Sequence, residues 1–127
     1  MKHGIAWVLL VTDNYERSLK FYRDVLEFIV EREVKDDEFC QFSLGNCYLA
    51  IFGRSHLEKV VDKQHLSHAG GAIYSFPDSE NIDADCQLLK SKGVALIKEP
   101  ATQPWGQRTA YFTDPDGHIW ELQQWTQ

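Results

Sequence analysis

Residues 104–125 read PWGQRTAYFTDPDGHIWELQQW, and the rest of the chain can be interpreted outward from them. At their centre lies Asp114-Pro115-Asp116-Gly117, which is a turn sequence. Asp can accept a hydrogen bond from the backbone that follows it, Pro presets φ, and Gly allows the closing corner. Because β-prone residues flank the turn on both sides, we predict a β-hairpin here.

The register of this hairpin determines which side chains share a sheet face with Glu121. A four-residue turn pairs Phe112 with Ile119 and Ala110 with Glu121. The face predicted from that register consists of Arg108, Ala110, Phe112, Ile119, Glu121 and Gln123. A carboxylate on so apolar a face needs a partner, since an unpaired buried charge is costly. The partner is either a metal ion or Arg108, the diagonal neighbour across the two strands.

Composition limits the class of protein. Of the 127 residues, 43% are hydrophobic and 13% aromatic, which predicts a single domain, 1–127, with a real core. The formal net charge of −6 disfavours a nucleic-acid partner, and the lack of an 18-residue apolar run disfavours a membrane span. The three cysteines are odd in number and show no CxxC spacing, so we expect a reducing, cytoplasmic location.

The same order of elements is predicted twice. Module 1, about 1–53, has a strand, a helix that begins at Asp13 or Asn14, and three strands. Module 2, about 71–127, repeats this order, with its helix beginning near Asp78. Residues 54–70 are polar without a clean period, and we interpret them as a linker. The sequence therefore predicts an α+β fold of two βαβββ modules.

Several short motifs in the two modules carry a family resemblance. They are Val11-Thr12-Asp13, Ser18, Phe21-Tyr22, Val25-Leu26-Glu27-Phe28, Trp105-Gly106-Gln107-Arg108, Tyr111-Phe112-Thr113-Asp114-Pro115-Asp116-Gly117-His118 and Glu121. They resemble the vicinal oxygen chelate superfamily, which includes glyoxalases, bleomycin resistance proteins and extradiol dioxygenases. Glu27 departs from the pattern, because the family usually has Gly there. The resemblance implies a cupped, eight-stranded mixed sheet with helices on its outer face, and a homodimer.

The resemblance also implies where a divalent metal would be held in metal-dependent members. One ligand, often His, lies seven residues before the Asp of the first helix, Asp13, which gives Ala6. The matching ligand of the second module lies seven residues before Asp78, which gives Gly71. A further ligand lies on the fourth strand, around Leu49 or Ile51. None of these side chains can bind a metal, and only Glu121 is retained. We therefore expect no metal cofactor.

An alternative metal site consists of Glu121 with His3 and His68. The two histidines lie ten residues before Asp13 and Asp78, so they are equivalent in the repeat. Strand parity opposes this set, because an offset of three residues moves a side chain to the other face of a strand. A divalent metal ion thus remains the alternative cofactor.

The leading functional hypothesis is a metal-free binding protein that resembles the bleomycin-resistance branch. It would sequester a small molecule in a cup near the dimer interface. The candidate ligand-binding residues are Glu121, Arg108, Trp105, Phe39, Tyr48 and Phe112. The runner-up is a divalent-metal-dependent lyase, thiol transferase or dioxygenase. The residues leave open whether any reaction is catalysed, and they identify no catalytic residue.

Overall fold

The computed structural model describes residues 4–125, which fall in two compact units, Met1–Ala69 (unit 1) and Gly70–Gln127 (unit 2). Each unit holds a four-stranded mixed sheet with a helix that follows its first strand. The α+β class and the two βαβββ modules predicted from the sequence are confirmed. No helix in the described part of the chain is long and apolar enough to cross a membrane.

The main elements of unit 1 are β1 (Trp7–Thr12), α1 (Tyr15–Lys20), β2 (Ile29–Val34), β3 (Phe39–Leu44) and β4 (Cys47–Gly53). The strand order is β1-β4-β3-β2, with β1 and β4 parallel and the other pairs antiparallel. A π-helical turn, Phe21–Val25, continues α1. The ring centroids of Tyr22 and Phe42 are 5.9 Å apart, so this helix covers the sheet face that carries Phe42.

The main elements of unit 2 are β5 (Ile73–Ser75), α3 (Ile82–Ser91), β6 (Leu96–Thr102), β7 (Gln107–Thr113) and β8 (Ile119–Trp125). The strand order is β5-β8-β7-β6, with β5 and β8 parallel. The helix α3 lies on the face that carries Arg108 and Gln124, because Arg108 binds Asp83 and the Gln124 side chain accepts a hydrogen bond from the Ile82 amide. The same face carries the buried Ala110, Phe112, Trp120 and Leu122.

Both long helices begin at an asparagine. The Asn14 side chain accepts a hydrogen bond from the Arg17 amide, and the Asn81 side chain accepts one from the Ala84 amide. Asparagine is among the best N-cap residues because its side-chain oxygen satisfies an otherwise unpaired backbone N–H. Of the two predicted starts of α1, Asn14 is therefore correct, and α3 begins later than the predicted start near Asp78.

The segment interpreted as a linker contains short helices, Arg54–Leu57 (α2) and the 3-10 turn Lys63–His65. A second 3-10 turn, Lys35–Asp37, joins β2 to β3. Arg54 forms an ion pair with Asp13 at 2.5 Å, which fixes the start of this segment to the end of β1. The hydrogen bond from Arg54 lowers the pKa of the Asp13 carboxyl.

The closing hairpin forms as predicted, but five residues, 114–118, separate the paired Thr113 and Ile119, in place of the predicted four between Thr113 and His118. The Asp114 amide donates to the His118 carbonyl, and the Gly117 amide donates to the Asp114 carbonyl. Gly117 has a φ of 92°, the left-handed conformation that glycine adopts most easily. Within those five residues, Asp114 and His118 are joined by a hydrogen bond and enclose a three-residue loop, 115–117, with glycine at its left-handed position.

This longer loop corrects the predicted register. Tyr111 pairs with Glu121, and Phe112 pairs with Trp120, in place of the predicted pairing of Phe112 with Ile119. A one-residue shift exchanges the faces of one strand relative to the other. The predicted face that joined Arg108, Ala110 and Phe112 to Glu121 is therefore wrong.

Candidate functional site

The sheet face opposite α3 is called here the open face of unit 2. Its members alternate along the strands with the residues that face the helix. They are Ile73, Ser75, Gln107, Thr109, Tyr111, Thr113, Ile119, Glu121, Gln123 and Trp125. This face combines one carboxylate with hydroxyl, amide and apolar side chains, so it is the part of unit 2 where ligand chemistry can be expected.

Glu121 lies at the centre of the open face of unit 2. Ser75 Oγ donates a hydrogen bond to Glu121 Oε1 at 2.8 Å, and Tyr111 Oη donates one to Glu121 Oε2 at 2.5 Å. The bond to Glu121, together with burial, raises the pKa of the Tyr111 hydroxyl, because ionising the phenol would break the bond. Two strands thus supply neutral donors that orient the carboxylate from both sides.

The sequence predicted Arg108 as one possible partner of Glu121, and the structure contradicts this. Arg108 lies on the helix side and makes a bidentate pair with Asp83, at 3.0 Å and 2.8 Å. This pair lowers the pKa of Asp83 and raises that of Arg108. Phe112, also predicted on the Glu121 face, is fully buried on the helix side, where its ring stacks on Phe76. Neither side chain is available to a ligand on the open face of unit 2.

Trp105 belongs to an amide network at the far end of this face. Its indole Nε1 donates to Gln107 Oε1 at 2.9 Å, and Gln107 Nε2 donates to Gln123 Oε1 at 2.7 Å. The indole of Trp125 also donates to Gln123 Oε1. Both indole rings are more than half exposed. The hydrogen bonds therefore hold two aromatic rings with large free surfaces at this end.

At the other end of the open face of unit 2 lies a shallow apolar hollow of about 450 Å³. It is lined by Gly71, Ala72, Ile73 and Ile119. Ile73 and Ile119 pair directly across β5 and β8, two residues before Ser75 and Glu121. The hollow and the carboxylate are thus adjacent on the same face.

Unit 1 has a corresponding helix-free face, called here the open face of unit 1, and it is aromatic. The rings of Trp7 and Tyr48 have centroids 5.0 Å apart, and those of Trp7 and Phe39 are 6.5 Å apart. Phe52 packs edge-on against Phe39 at 5.4 Å. Trp7 is 40% exposed and Tyr48 is 36% exposed. The structure therefore brings the predicted ligand-binding residues Phe39 and Tyr48 together around an accessible indole.

Trp7 was missed in the sequence because the helix start was counted from Asp13. Counting seven residues back from the true cap, Asn14, gives Trp7 instead of Ala6. The sequence offers two adjacent capping residues, Asp13 and Asn14. The hydrogen bond from the Arg17 amide to the Asn14 side chain identifies Asn14 as the cap.

A family model of the glyoxalase/bleomycin resistance protein/dioxygenase superfamily matches residues 4–122. The chain belongs to this superfamily. Its similarity to individual members is moderate and extends over most of each chain. It is 31% identical over 115 residues to the phenazine antibiotic resistance protein EhpR of Enterobacter agglomerans, covering 87% of this chain and 84% of EhpR. It is 29% identical over 125 residues to the metallothiol transferase FosB of Staphylococcus epidermidis, covering 96% and 84%.

Solved structures of the superfamily share the fold. A glyoxalase/bleomycin resistance protein/dioxygenase from Nocardioides superimposes with a TM-score of 0.81 at 23% sequence identity. The match covers 100% of this chain and 86% of that protein. At this identity the likeness establishes the fold and leaves the chemistry to be argued from the residues.

The superfamily's metal positions can now be compared with the side chains of this chain. Trp7 lies seven residues before the observed cap Asn14, whereas Gly71 lies seven residues before Asp78, the predicted helix start, and not before the observed cap Asn81. On β4, Leu49 and Ile51 are buried on the helix side, and the intervening Ala50 shares the open face of unit 1 with Phe39. None of these residues offers a metal ligand, so a divalent ion, which requires several protein donors, does not fit this donor set.

The alternative metal set is only partly covered by the structure. His3 lies outside the described residues. His68 lies in the loop before β5, where its Nδ1 is 2.9 Å from Ser67 Oγ. Within residues 4–125 no group of three or more His, Cys, Asp or Glu side chains is arranged to hold a metal. The set of Glu121, His3 and His68 stays a prediction.

Proposed function

We propose that this chain binds a small planar aromatic molecule and sequesters it without a metal ion. The observation that carries the proposal is the accessible pair of Trp7 and Tyr48 on the open face of unit 1, backed by Phe39. In this proposal the protein acts in the cytoplasm as a homodimer, with its ligand held near the dimer interface. The three cysteines support the reducing location, because all are free thiols.

The aromatic surface suits a flat ring system for a physical reason. Stacked or edge-to-face aromatic pairs contribute about 0.5–1.5 kcal/mol beyond the area they bury. Trp7 and Tyr48 lie on neighbouring strands, so the sheet fixes their separation before any ligand arrives. Preorganisation of this kind reduces the entropy lost on binding.

The comparison with EhpR supports the same ligand class. Phenazines are flat, fused aromatic heterocycles. EhpR is a phenazine antibiotic resistance protein, and its alignment with this protein covers 87% of this chain. This similarity makes phenazine a suitable first probe.

A metal-dependent lyase, thiol transferase or dioxygenase is the second candidate. It is favoured by the retained Glu121 and by the similarity to the metallothiol transferase FosB. Trp7, Ala50 and Gly71 weigh against it, because none of them carries a side chain that binds a metal.

Isothermal titration of phenazine into the purified protein tests the proposal. We expect saturable binding that Trp7→Ala weakens by about tenfold, since a stacked indole and its buried area together contribute roughly 1.4 kcal/mol. The matched control is Trp125→Ala, which removes another exposed indole from unit 2. Absence of binding to the unmodified protein, or equal losses in the two variants, would refute the proposed site.

A further inference from the structure

The Glu121 carboxylate is a charged group whose described partners are both neutral. An ionised carboxylate offers about four lone-pair positions, and Ser75 and Tyr111 occupy one on each oxygen. Within residues 4–125 no lysine, arginine or histidine forms an ion pair with it. The side chain is partly accessible to solvent. Glu121 thus has free acceptor positions towards the open side of the sheet.

One cation lies in register with this carboxylate. Lys98 pairs with Tyr111 on the neighbouring strand β6. It is separated from Glu121 by two strand spacings, which amounts to about 10 Å. This is a backbone distance, and within residues 4–125 the Lys98 ammonium forms no ion pair with Glu121.

The apolar hollow supplies the second half of a site. Ile73, 57% exposed, and Ile119 lie two residues before Ser75 and Glu121 on the same face. Two residues of a strand span about 6.6 Å. Gly71 at the rim adds no side chain, so the hollow stays open next to the carboxylate.

We propose that the open face of unit 2 binds a small organic cation with an apolar body, such as an arylalkyl ammonium. The apolar body covers Ile73 and Ile119, and the ammonium group donates to Glu121 about 6–7 Å away. Ser75 and Tyr111 act as positioning residues, because their hydroxyls fix the carboxylate rotamer. This subsite goes beyond the proposed function, since it lies in unit 2 and recognises a charge.

Charge and geometry favour this occupant over others. Hydrogen bonds in which both partners are ionised are shorter and stronger than neutral ones. The chain carries a net charge of −6, which raises the local concentration of cations. A metal ion is disfavoured because two neutral hydroxyls and one carboxylate are a poor donor set.

The test compares three probes of similar size that share a phenylalkyl body: 4-phenylbutylamine, 4-phenylbutanol and 4-phenylbutanoate. Titration calorimetry with the full chain should give the tightest binding for the amine, about tenfold tighter than for the alcohol, with the carboxylate probe weakest. Glu121→Gln keeps the size of the side chain and should abolish the preference for the amine. The matched control is Glu80→Gln, an exposed carboxylate on the loop before α3, which makes the same change in net charge and should keep the preference.

Each other result overturns the proposal. Equal affinity for the amine and the alcohol excludes recognition of charge. A preference that survives Glu121→Gln places the cation elsewhere. No binding of any probe means that the hollow is not a ligand site, as would be the case if a second copy of the chain covered it. Phenazine binding to unit 1 is measured separately, so failure here leaves the proposed function standing.

Discussion

The face assignment around Glu121 can be tested by replacing two adjacent residues, Phe112 and Tyr111. Phe112 is fully buried on the helix side and its ring stacks on Phe76 with centroids 6.3 Å apart. Removing a buried phenylalanine side chain costs about 3–5 kcal/mol, because the lost transfer free energy adds to the cavity that remains. We therefore expect Phe112→Ala to lower the free energy of unfolding by about that amount.

Tyr111 provides the matched comparison on the opposite face. It is only half-buried, and its hydroxyl makes one hydrogen bond to Glu121. Loss of a partly exposed ring and one such bond costs roughly 1–2 kcal/mol. Tyr111→Ala should therefore destabilise the protein much less than Phe112→Ala.

Urea denaturation followed by circular dichroism measures both values, with the free energy extrapolated linearly to water. A natural domain has only about 5–15 kcal/mol of stability, so Phe112→Leu serves as a milder variant if Phe112→Ala does not fold. It should show a smaller loss of the same sign. If Tyr111→Ala proved more destabilising than the Phe112 variants, the observed register and the definition of the open face of unit 2 would be wrong.

Three further predictions concern thiols, a phenol and a helix cap. Cys47 should react first with a disulfide reagent, and Cys40 and Cys86 should react much more slowly. Cys40 and Cys86 are buried, and burial raises the pKa of both thiols, that of Cys40 to about 11. Cys47→Ser should remove the fast phase of the reaction, and a fast phase that persists would contradict this prediction. The hydrogen bond that raises the pKa of Tyr111 stabilises the fold fully below the unfolded phenol pKa of about 10 and is lost as pH rises through the higher folded value. Tyr111→Phe should therefore flatten the fall of stability between pH 9 and 11, and identical pH profiles would exclude the bond. Asn14→Ala should cost about 1 kcal/mol in urea denaturation while Asn14→Asp costs much less, and equal losses would show that the cap is unimportant.

The order of strands and helices could be predicted because it depends on local sequence patterns within each module. Hydrophobic periodicity identified the strands, and the turn sequence Asp114-Pro115-Asp116-Gly117 identified the closing hairpin. These signals depend on residues close together in the chain. They do not require knowledge of which segments pack against each other.

The side chains next to Glu121 could not be predicted in the same way, because they depend on the register of the closing hairpin. The Asp-Pro-Asp-Gly-His sequence is compatible with two hairpins. In one, Thr113 pairs with His118, and in the other, which the structure has, Thr113 pairs with Ile119. The two registers differ by one residue. A one-residue shift in register places the residues of β7 on the opposite face relative to β8. Arg108 therefore pairs with Asp83 instead of Glu121, and Phe112 lies in the core instead of on the predicted ligand-binding face. The carboxylate's true partners, Ser75 and Tyr111, come from two strands that pair with β8.

The aromatic surface of unit 1 was half predicted. The sequence predicts Phe39 and Tyr48 as aromatic ligand-binding residues, whereas Trp7 follows only when Asn14 is taken as the helix cap. Asp13 and Asn14 have almost equal capping preference, and in the structure Asn14 caps the helix while Asp13 pairs with Arg54, which lies 41 residues later. A long-range contact of this kind is invisible to local sequence patterns.

The most direct test of metal-free binding is the dissociation constant of phenazine measured before and after exhaustive dialysis against a chelator. If the aromatic surface around Trp7 and Tyr48 holds the ligand, the dissociation constant should be unchanged after dialysis and on adding back zinc, manganese or nickel. Loss of binding on dialysis, with recovery on addition of one equivalent of metal, would contradict the account and favour the metal-dependent alternative.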